Sequence, residues 1–173
     1  FIYDKLPQIE AIPEVKEIKY EFDEVMPEIF SKDFHFKLPF NSREKFVIAG
    51  PCVIHDFEVF EKTALELQKL NVKALRSPLF KPRTSPYAWE GFGLKGIKRL
   101  KEIKKKIRLP FVMEILDPRV IDKVFDVCDI IQIGARNMKN YVLLKECAKT
   151  LKPVLLKRQP KSSLKEFLFS AEY

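Results

Sequence analysis

The feature that most constrains this chain is a rhythm that begins at Lys45 and repeats five times: a short apolar run, a polar or proline-bearing loop, then a stretch with 3.6-residue periodicity. KFVIAG (45–50) precedes 57–70, VKALR (72–76) precedes 94–107, and PFVMEI (110–115) precedes 117–127. DIIQIG (129–134) precedes 138–149, and PVLLK (153–157) precedes a segment entered through Ser162 and Ser163. Continuous apolar runs, as opposed to alternating ones, mark strands buried on both faces, the habit of parallel sheets covered by helices. Helix starts carry matching chemistry: Asp117-Pro118 reads as an N-cap with proline in the first turn, and Ser163 stands three residues before Glu166.

Five βα units in the same order fit either a (β/α)8 barrel or a doubly wound sheet. Each strand here ends on a residue able to do chemistry: Cys52 after the first, Arg76, Glu114, Gln132 with Arg136, and Lys157-Arg158. Chemistry spread over many strand ends is the barrel habit, whereas an open sheet concentrates it at one switch point. No G-x-G-x-x-G and no Walker loop occurs, so a nucleotide-binding reading lacks its motif. The expected fold class is therefore α/β, a TIM (β/α)8 barrel of which the first five βα units are present. Eight units in about 250 residues close such a barrel. Three units are wanting.

Residues 1–44 differ in character. They hold Pro7, Pro13, Pro27 and Pro39 and two short alternating segments, 17–22 and 33–38, so an N-terminal arm of 1–44 is expected ahead of a partial barrel of 45–173. His35, between Phe34 and Phe36, reads as a hairpin or surface histidine. The chain opens at Phe1 without Met and stops at Tyr173 inside a helical pattern, as a piece of something longer would.

With 46% hydrophobic and 12% aromatic residues, the 173-residue chain has material for a core. No apolar run approaches the roughly 20 residues of a spanning helix, and no signal-peptide pattern is present, so a cytoplasmic protein without a membrane partner is expected. Cys52, Cys128 and Cys147 are too widely spaced for a disulfide framework; the last two read as core fillers. The net charge of +8 suits anionic metabolites or nucleic acid. Many lysines, Lys95, Lys98, Lys101 and Lys104 to Lys106 among them, fall on helix faces, where solubility explains them, and no nucleic-acid partner is expected.

The cations with a more specific use lie in 74–87, ALRSPLFKPRTSPY. A strand delivers Arg76, and two prolines then bracket Lys81, Arg83, Thr84 and Ser85. Proline fixes φ and biases its predecessor to extended backbone, so the loop loses less entropy when an anion docks. Arginine forks, a lysine point charge and hydroxyl donors suit a carboxylate or phosphate. Tyr87 and Trp89 flank this loop, where a lid, a subunit contact and ligand stacking are alternatives. Gln132 is expected to face the barrel interior, and Glu114 to be an ion-pair partner of the nearby cations.

Taken together, Ala49-Gly50-Pro51-Cys52, Leu75-Arg76, Lys81-Pro82-Arg83-Thr84-Ser85-Pro86-Tyr87, Gln132-Ile133-Gly134-Ala135-Arg136-Asn137 and Leu155-Leu156-Lys157-Arg158 resemble the smaller type I 3-deoxy-D-arabino-heptulosonate-7-phosphate (DAHP) synthases over about 46–173. The sister octulosonate-phosphate synthases share the first motif but differ in the second-strand loop. The resemblance implies an aldol-type condensation of phosphoenolpyruvate with erythrose 4-phosphate, at the head of the shikimate pathway, on a divalent metal (Mn, Fe, Zn or Co). It implies that Cys52 is a metal ligand and that Lys81 and Lys157 are catalytic. Arg76, Lys81 and Lys157 would surround the phosphoenolpyruvate carboxylate and reacting carbon, Arg136 its phosphate, and Arg83 with Thr84 the sugar phosphate. Arg158 is a further substrate-binding candidate, and a homo-oligomer is expected.

Two substrates of this kind bring about four to five negative charges, at ~1.5–2 per phosphate monoester. The six cations answer them, and packed together without ligand they repel, so the empty mouth is expected to hold anions or to be mobile.

Where the family has two glycines after the second-strand arginine, this chain has Ser77-Pro78; where it has glycine after LLKR, Gln159-Pro160 stands. Both changes bear on the floor of the phosphoenolpyruvate site, because glycine serves where backbone nears a ligand. His55, three residues after Cys52, is a possible second ligand or a polar contact at the helix start. The family's other metal ligands, a His, a Glu and an Asp, come from its last three strands and have no counterpart here, so the metal is expected only in a complete barrel. The alternative reading is a non-catalytic half-barrel that binds phosphorylated ligands or a complementing partner chain.

Overall fold

In a computed structural model the described residues are 38–40 and 46–173. Apart from residues 38–40, the expected arm of 1–44, with His35, the segment 17–22 and all of 33–38 but Leu38, lies outside them. Five parallel strands, β1 (Ile48–Ala49), β2 (Ala74–Arg76), β3 (Phe111–Glu114), β4 (Ile130–Ile133) and β5 (Val154–Leu156), form one sheet in sequential order. Register advances smoothly: Ile48 lies beside Ala74, Leu75 beside Phe111, Val112 beside Ile130, and Gln132 beside Leu155. Sequential parallel order with a helix after every strand is the first half of a (β/α)8 barrel, and not the reversing order of a doubly wound sheet.

The helices are α1 (Phe57–Lys69), α2 (Ile97–Lys104), α3 (Ile121–Val124), α4 (Tyr141–Lys149) and α5 (Leu164–Glu172). Asp56 starts α1 by accepting from the backbone of Glu58 and Val59 at 2.7 and 2.9 Å. Ser163 and Glu166 cap α5 reciprocally, each side chain accepting from the other's backbone. Three expected helices are shorter than their periodicity. A 3-10 turn, Gly93–Gly96, takes the start of 94–107, and another, Pro118–Val120, takes the start of 117–127. In 138–149 the helix begins at Tyr141, because Asn140 Oδ1 accepts from Leu143 N and caps it there, after a third 3-10 turn at Ala135–Asn137. Local caps overrode the apolar period.

Alternate strand residues face opposite ways. One set, Leu75, Phe111, Met113, Ile131 and Ile133, packs with Phe60, Leu100, Ile103 and Leu143 of the helices in the main core. The other, Ala74, Val112 and Ile130, forms a small cluster with Ile48, Leu155 and Phe40. This second face is the barrel interior, and two residues further along it come Arg76, Glu114, Gln132 and Lys157. Beside the small cluster lies an open groove of about 540 Å³ lined by Phe40, Phe46, Ile48, Ile130, Val154 and Leu155 among others.

Candidate active site

Gly50 makes the mouth possible. Its φ is +131°, and a Cβ there would stand 2.6 Å from the Arg76 carbonyl oxygen and 2.9 Å from the Arg76 nitrogen. Only a residue without a side chain lets the end of β1 lie this close to Arg76. The loop that follows brings Cys52 Sγ to Lys81 Nζ, which donates to it. That ammonium holds the Cys52 thiol below its ordinary pKa, with Arg76 adding a hydrogen bond and charge while partial burial opposes them. Cys128 and Cys147 sit in the core as expected, where burial pushes their thiols up to about 12 and about 11.

The second-strand loop is tied down from three sides. Lys81 N donates to Glu90 O at 2.8 Å and closes the loop on itself. From the end of β4, Arg136 donates to the Pro82 carbonyl at 2.8 Å and to Thr84 Oγ1 at 3.3 Å. Arg83 Nε donates to the Trp89 carbonyl at 2.9 Å. The prolines were expected to stiffen this loop; the structure adds arginines that spend part of their donor forks on its carbonyls. Cations that would repel one another are thus spaced by a thiol, two carbonyls and a hydroxyl.

Deeper in the interior, Gln132 Nε2 donates to Glu114 Oε2 at 3.0 Å, and both residues are buried. Gln132 faces inward as expected. Glu114, expected to be an ion-pair partner, is held instead by this neutral amide, because the register sets Gln132 directly beside it. Gly134 completes the arrangement: a Cβ there would fall 2.2 Å from Glu114 Oε1. Lys157 is placed next to Gly134 by its backbone bond to Ile133 O at 3.0 Å. The side chains of Lys157 and Arg158 make no hydrogen bond or ion pair with the described residues.

His55 makes no polar contact at the helix start among the described residues. Its ring stacks on Trp89 at 4.8 Å, since the loops after β1 and β2 run side by side there. Tyr87 is 97% exposed and touches none of the site cations through a hydrogen bond. Ser77 is fully buried with its N–H on Val112 O at 2.9 Å, and strand alternation turns its side chain to the helix side, away from Arg76. Gln159 is used within the turn to α5, its Oε1 accepting from Ser162 Oγ at 3.3 Å. The roles of Gly50 and Gly134 and the His55–Trp89 stack were missed from sequence. Glycines inside Ala-Gly-Pro-Cys and Ile-Gly-Ala-Arg were a signal for the first two; nothing local announced the third.

No group of three His, Cys, Asp or Glu side chains that could hold a metal occurs among the described residues. One thiolate flanked by Lys81 and Arg76 is not a metal centre, so these residues do not by themselves fit the divalent ion. What the mouth offers is anion recognition: guanidinium forks, an ammonium and hydroxyls on a fixed loop.

Comparison with known proteins places this arrangement. The chain is 46% identical over 127 residues to a phospho-2-dehydro-3-deoxyheptonate aldolase of Thermotoga maritima, a match covering 73% of the chain and 38% of the relative. It is 35% identical over 119 residues to a 2-dehydro-3-deoxyphosphooctonate aldolase of Wolinella succinogenes, covering 65% of the chain and 45% of the relative. The crystal structure of a Thermotoga maritima DAHP synthase superposes with a TM-score of 0.74 at 36% identity, covering 96% of this chain and 50% of that one. The chain thus spans half or less of the relatives it matches. Residues 41–173 match the profile of the DAHP synthetase I family, and the chain belongs to that family.

Proposed function

We propose that this chain carries the phosphoenolpyruvate side and the sugar-phosphate loop of a DAHP synthase, which joins phosphoenolpyruvate to erythrose 4-phosphate and releases phosphate as the first step of the shikimate pathway. One observation carries the reading. Arg136, from the end of β4, reaches Pro82 and Thr84 on the loop after β2, so the residues assigned to the two phosphates share one mouth. Arg76, Lys81 and Lys157 hold the phosphoenolpyruvate carboxylate and reacting carbon. Lys81 keeps donors for this beyond the one given to Cys52, because an ammonium has three. Arg136 takes the phosphate of phosphoenolpyruvate with the part of its fork not given to the loop, and Arg83 with Thr84 takes that of the sugar. Arg158 stands behind Lys157 as a further anion contact.

In the reaction the enol carbon of phosphoenolpyruvate attacks the aldehyde carbon, and water adds to the carbon bearing the phosphate ester. That C–O bond breaks to release phosphate and leave a ketone, and a proton from the water ends on the former aldehyde oxygen. A positive wall beside both anionic substrates lowers the cost of bringing them together. In a complete barrel a divalent ion would supply Lewis-acid polarisation of the aldehyde. Cys52 would be one of its ligands, and the described residues supply no complete set. The KPRTSPY loop favours the four-carbon sugar over the five-carbon sugar of the octulosonate enzymes. A cytoplasmic homo-oligomer accords with the reading; among the described residues no helix is long and apolar enough to cross a membrane.

A second reading is favoured by a different observation. Neither β1 nor β5 has an outer strand neighbour among the described residues, and the interior groove lies open beside β5. Unpaired parallel edges beside an apolar face invite further strands. In this reading the five units are a phosphate-binding half completed by strands from elsewhere, on the same polypeptide or another.

The test is phosphoenolpyruvate-dependent consumption of erythrose 4-phosphate with added Mn²⁺, with arabinose 5-phosphate as the competing sugar. Turnover of the four-carbon sugar that falls at least tenfold in Arg136→Ala supports the first reading. Preference for the five-carbon sugar moves the assignment to the octulosonate branch. Binding of both phosphate esters without turnover, and turnover restored by a separate chain bearing three further βα units, supports the second.

A further inference from the structure

Four aromatic rings run from the loop after β1 to the loop after β2. His55 stacks on Trp89 with centroids 4.8 Å apart, Trp89 meets Phe92 edge to face at 5.2 Å, and Phe92 stacks on Phe57 at 4.7 Å. Phe57 is the first residue of α1, whose cap Asp56 follows His55, so one end of this ladder is anchored in a capped helix. The other end is His55, and between it and Phe92 sits Trp89, the sole tryptophan of the chain, 41% exposed yet held between two rings. Its backbone carbonyl accepts from Arg83 Nε at 2.9 Å. Solvation alone does not explain a tryptophan in a cationic surface loop. Among the described residues that carbonyl is the acceptor Arg83 uses, and the ladder packs directly on the residue that carries it.

Holding Nε has a directional consequence. A guanidinium is planar, and with Nε committed to a carbonyl its two terminal nitrogens remain as a pair of donors on a fixed bearing. A phosphate ester docking on such a pre-aimed fork loses less side-chain entropy than one that must order a free arginine. We propose that Trp89, backed by His55, is a positioning residue: its wedged indole fixes the Trp89 carbonyl and through it the aim of Arg83 at the sugar phosphate. The proposal rests on the assignment of Arg83 made above and goes beyond it, because it gives the two rings a role through the Trp89 carbonyl and not through the ligand.

Isothermal titration of the full chain with erythrose 4-phosphate, and separately with phosphoenolpyruvate, tests it in four variants. Arg83→Ala checks the assignment, Trp89→Ala and His55→Ala check the positioning, and Trp89→Phe keeps a ring in the wedge. Losing the hold on a charged donor is expected to weaken erythrose 4-phosphate binding about tenfold in Trp89→Ala and about threefold in His55→Ala, with phosphoenolpyruvate unchanged and Trp89→Phe within twofold of the parent. A merely structural role would weaken both ligands together, and that result would overturn the proposal. Should Trp89→Ala fail to fold, His55→Ala decides, since that side chain is exposed and the parent Trp89 still reports the loop by its fluorescence. Erythrose 4-phosphate binding lost in Arg83→Ala but unmoved in the ring variants overturns the positioning alone. Binding unmoved in Arg83→Ala, or absent from the parent chain, overturns the assignment of Arg83 and the positioning with it.

Discussion

On the helix side of the sheet, Leu75, Phe111, Met113, Ile131 and Ile133 are at most 2% exposed and interlock with Leu100, Ile103 and Leu143. On the opposite side of the same strands, Ala74, Val112 and Ile130 find, among the described residues, Ile48, Leu155 and Phe40, and the groove beside them is open. The two faces are built from alternate residues of the same five strands, so the difference is not one of strand chemistry. It lies in what covers each face. The five helices come with the five strands and complete the outer layer unit by unit, whereas a barrel interior is shared by all eight strands and stays unfinished until the last is in place. Stability in this chain therefore sits outside, and the proposed binding residues inside.

The largest effect that could break this comparison is a pair of neighbours, Ile131 and Ile130, each 2% exposed and on opposite faces. Ile131→Ala should cost about 3–4 kcal/mol, because the packed outer core cannot collapse around the cavity. Ile130→Ala should cost about 2 kcal/mol or less, since its side chain already borders open space and leaves less of a cavity term. Urea unfolding with unchanged m-values measures both, and equal costs would show that the inner face is as closed as the outer.

Next in size is Gly50→Ala, which sharpens the account of the mouth. A methyl group 2.6 Å from the Arg76 carbonyl, on a backbone with φ +131°, should destabilise the chain by about 2 kcal/mol and weaken phosphoenolpyruvate binding as β2 is pushed back. A stable variant with unchanged affinity would show that β1 does not shape the Arg76 site.

The smallest effect is one of rate. Iodoacetamide at pH 7 should label Cys52 and spare Cys128 and Cys147, whose thiols burial pushes up to about 12 and about 11. Because Lys81 stabilises the thiolate, labelling of Cys52 should rise with pH through a midpoint below the usual thiol value. Lys81→Met should move that midpoint upward and slow labelling at pH 7 several-fold. No change in the midpoint would mean that the ammonium does not act on Cys52.

Reading from sequence succeeded where a residue's position follows from local pattern. The cationic loop, the strand-end arginines and the inward-facing Gln132 could be read because strands alternate faces and proline restricts backbone locally. Reading failed for partners. Glu114 was expected to pair with cations of the neighbouring strand ends, yet strand register paired it with Gln132. His55 sat three residues from Cys52 in metal-like spacing, yet the neighbouring loop offered it Trp89. Helix starts were misplaced by a few residues at Asn140 and Gly93, where caps and 3-10 turns compete with the apolar period.

The amino-acid order by itself determined that this chain makes parallel strands with helices between them, because hydrophobic period, capping residues and proline act over a few neighbours. It also determined which side chains arrive at the strand ends. Tertiary structure alone decided what those side chains hold: Arg136 on Pro82 and Thr84, Arg83 on the Trp89 carbonyl, and Lys81 on Cys52. The physical reason is range. Such contacts join units that are far apart in the chain, or depend on how a loop folds back upon itself, and no local pattern records which acceptor a fork of donors will meet.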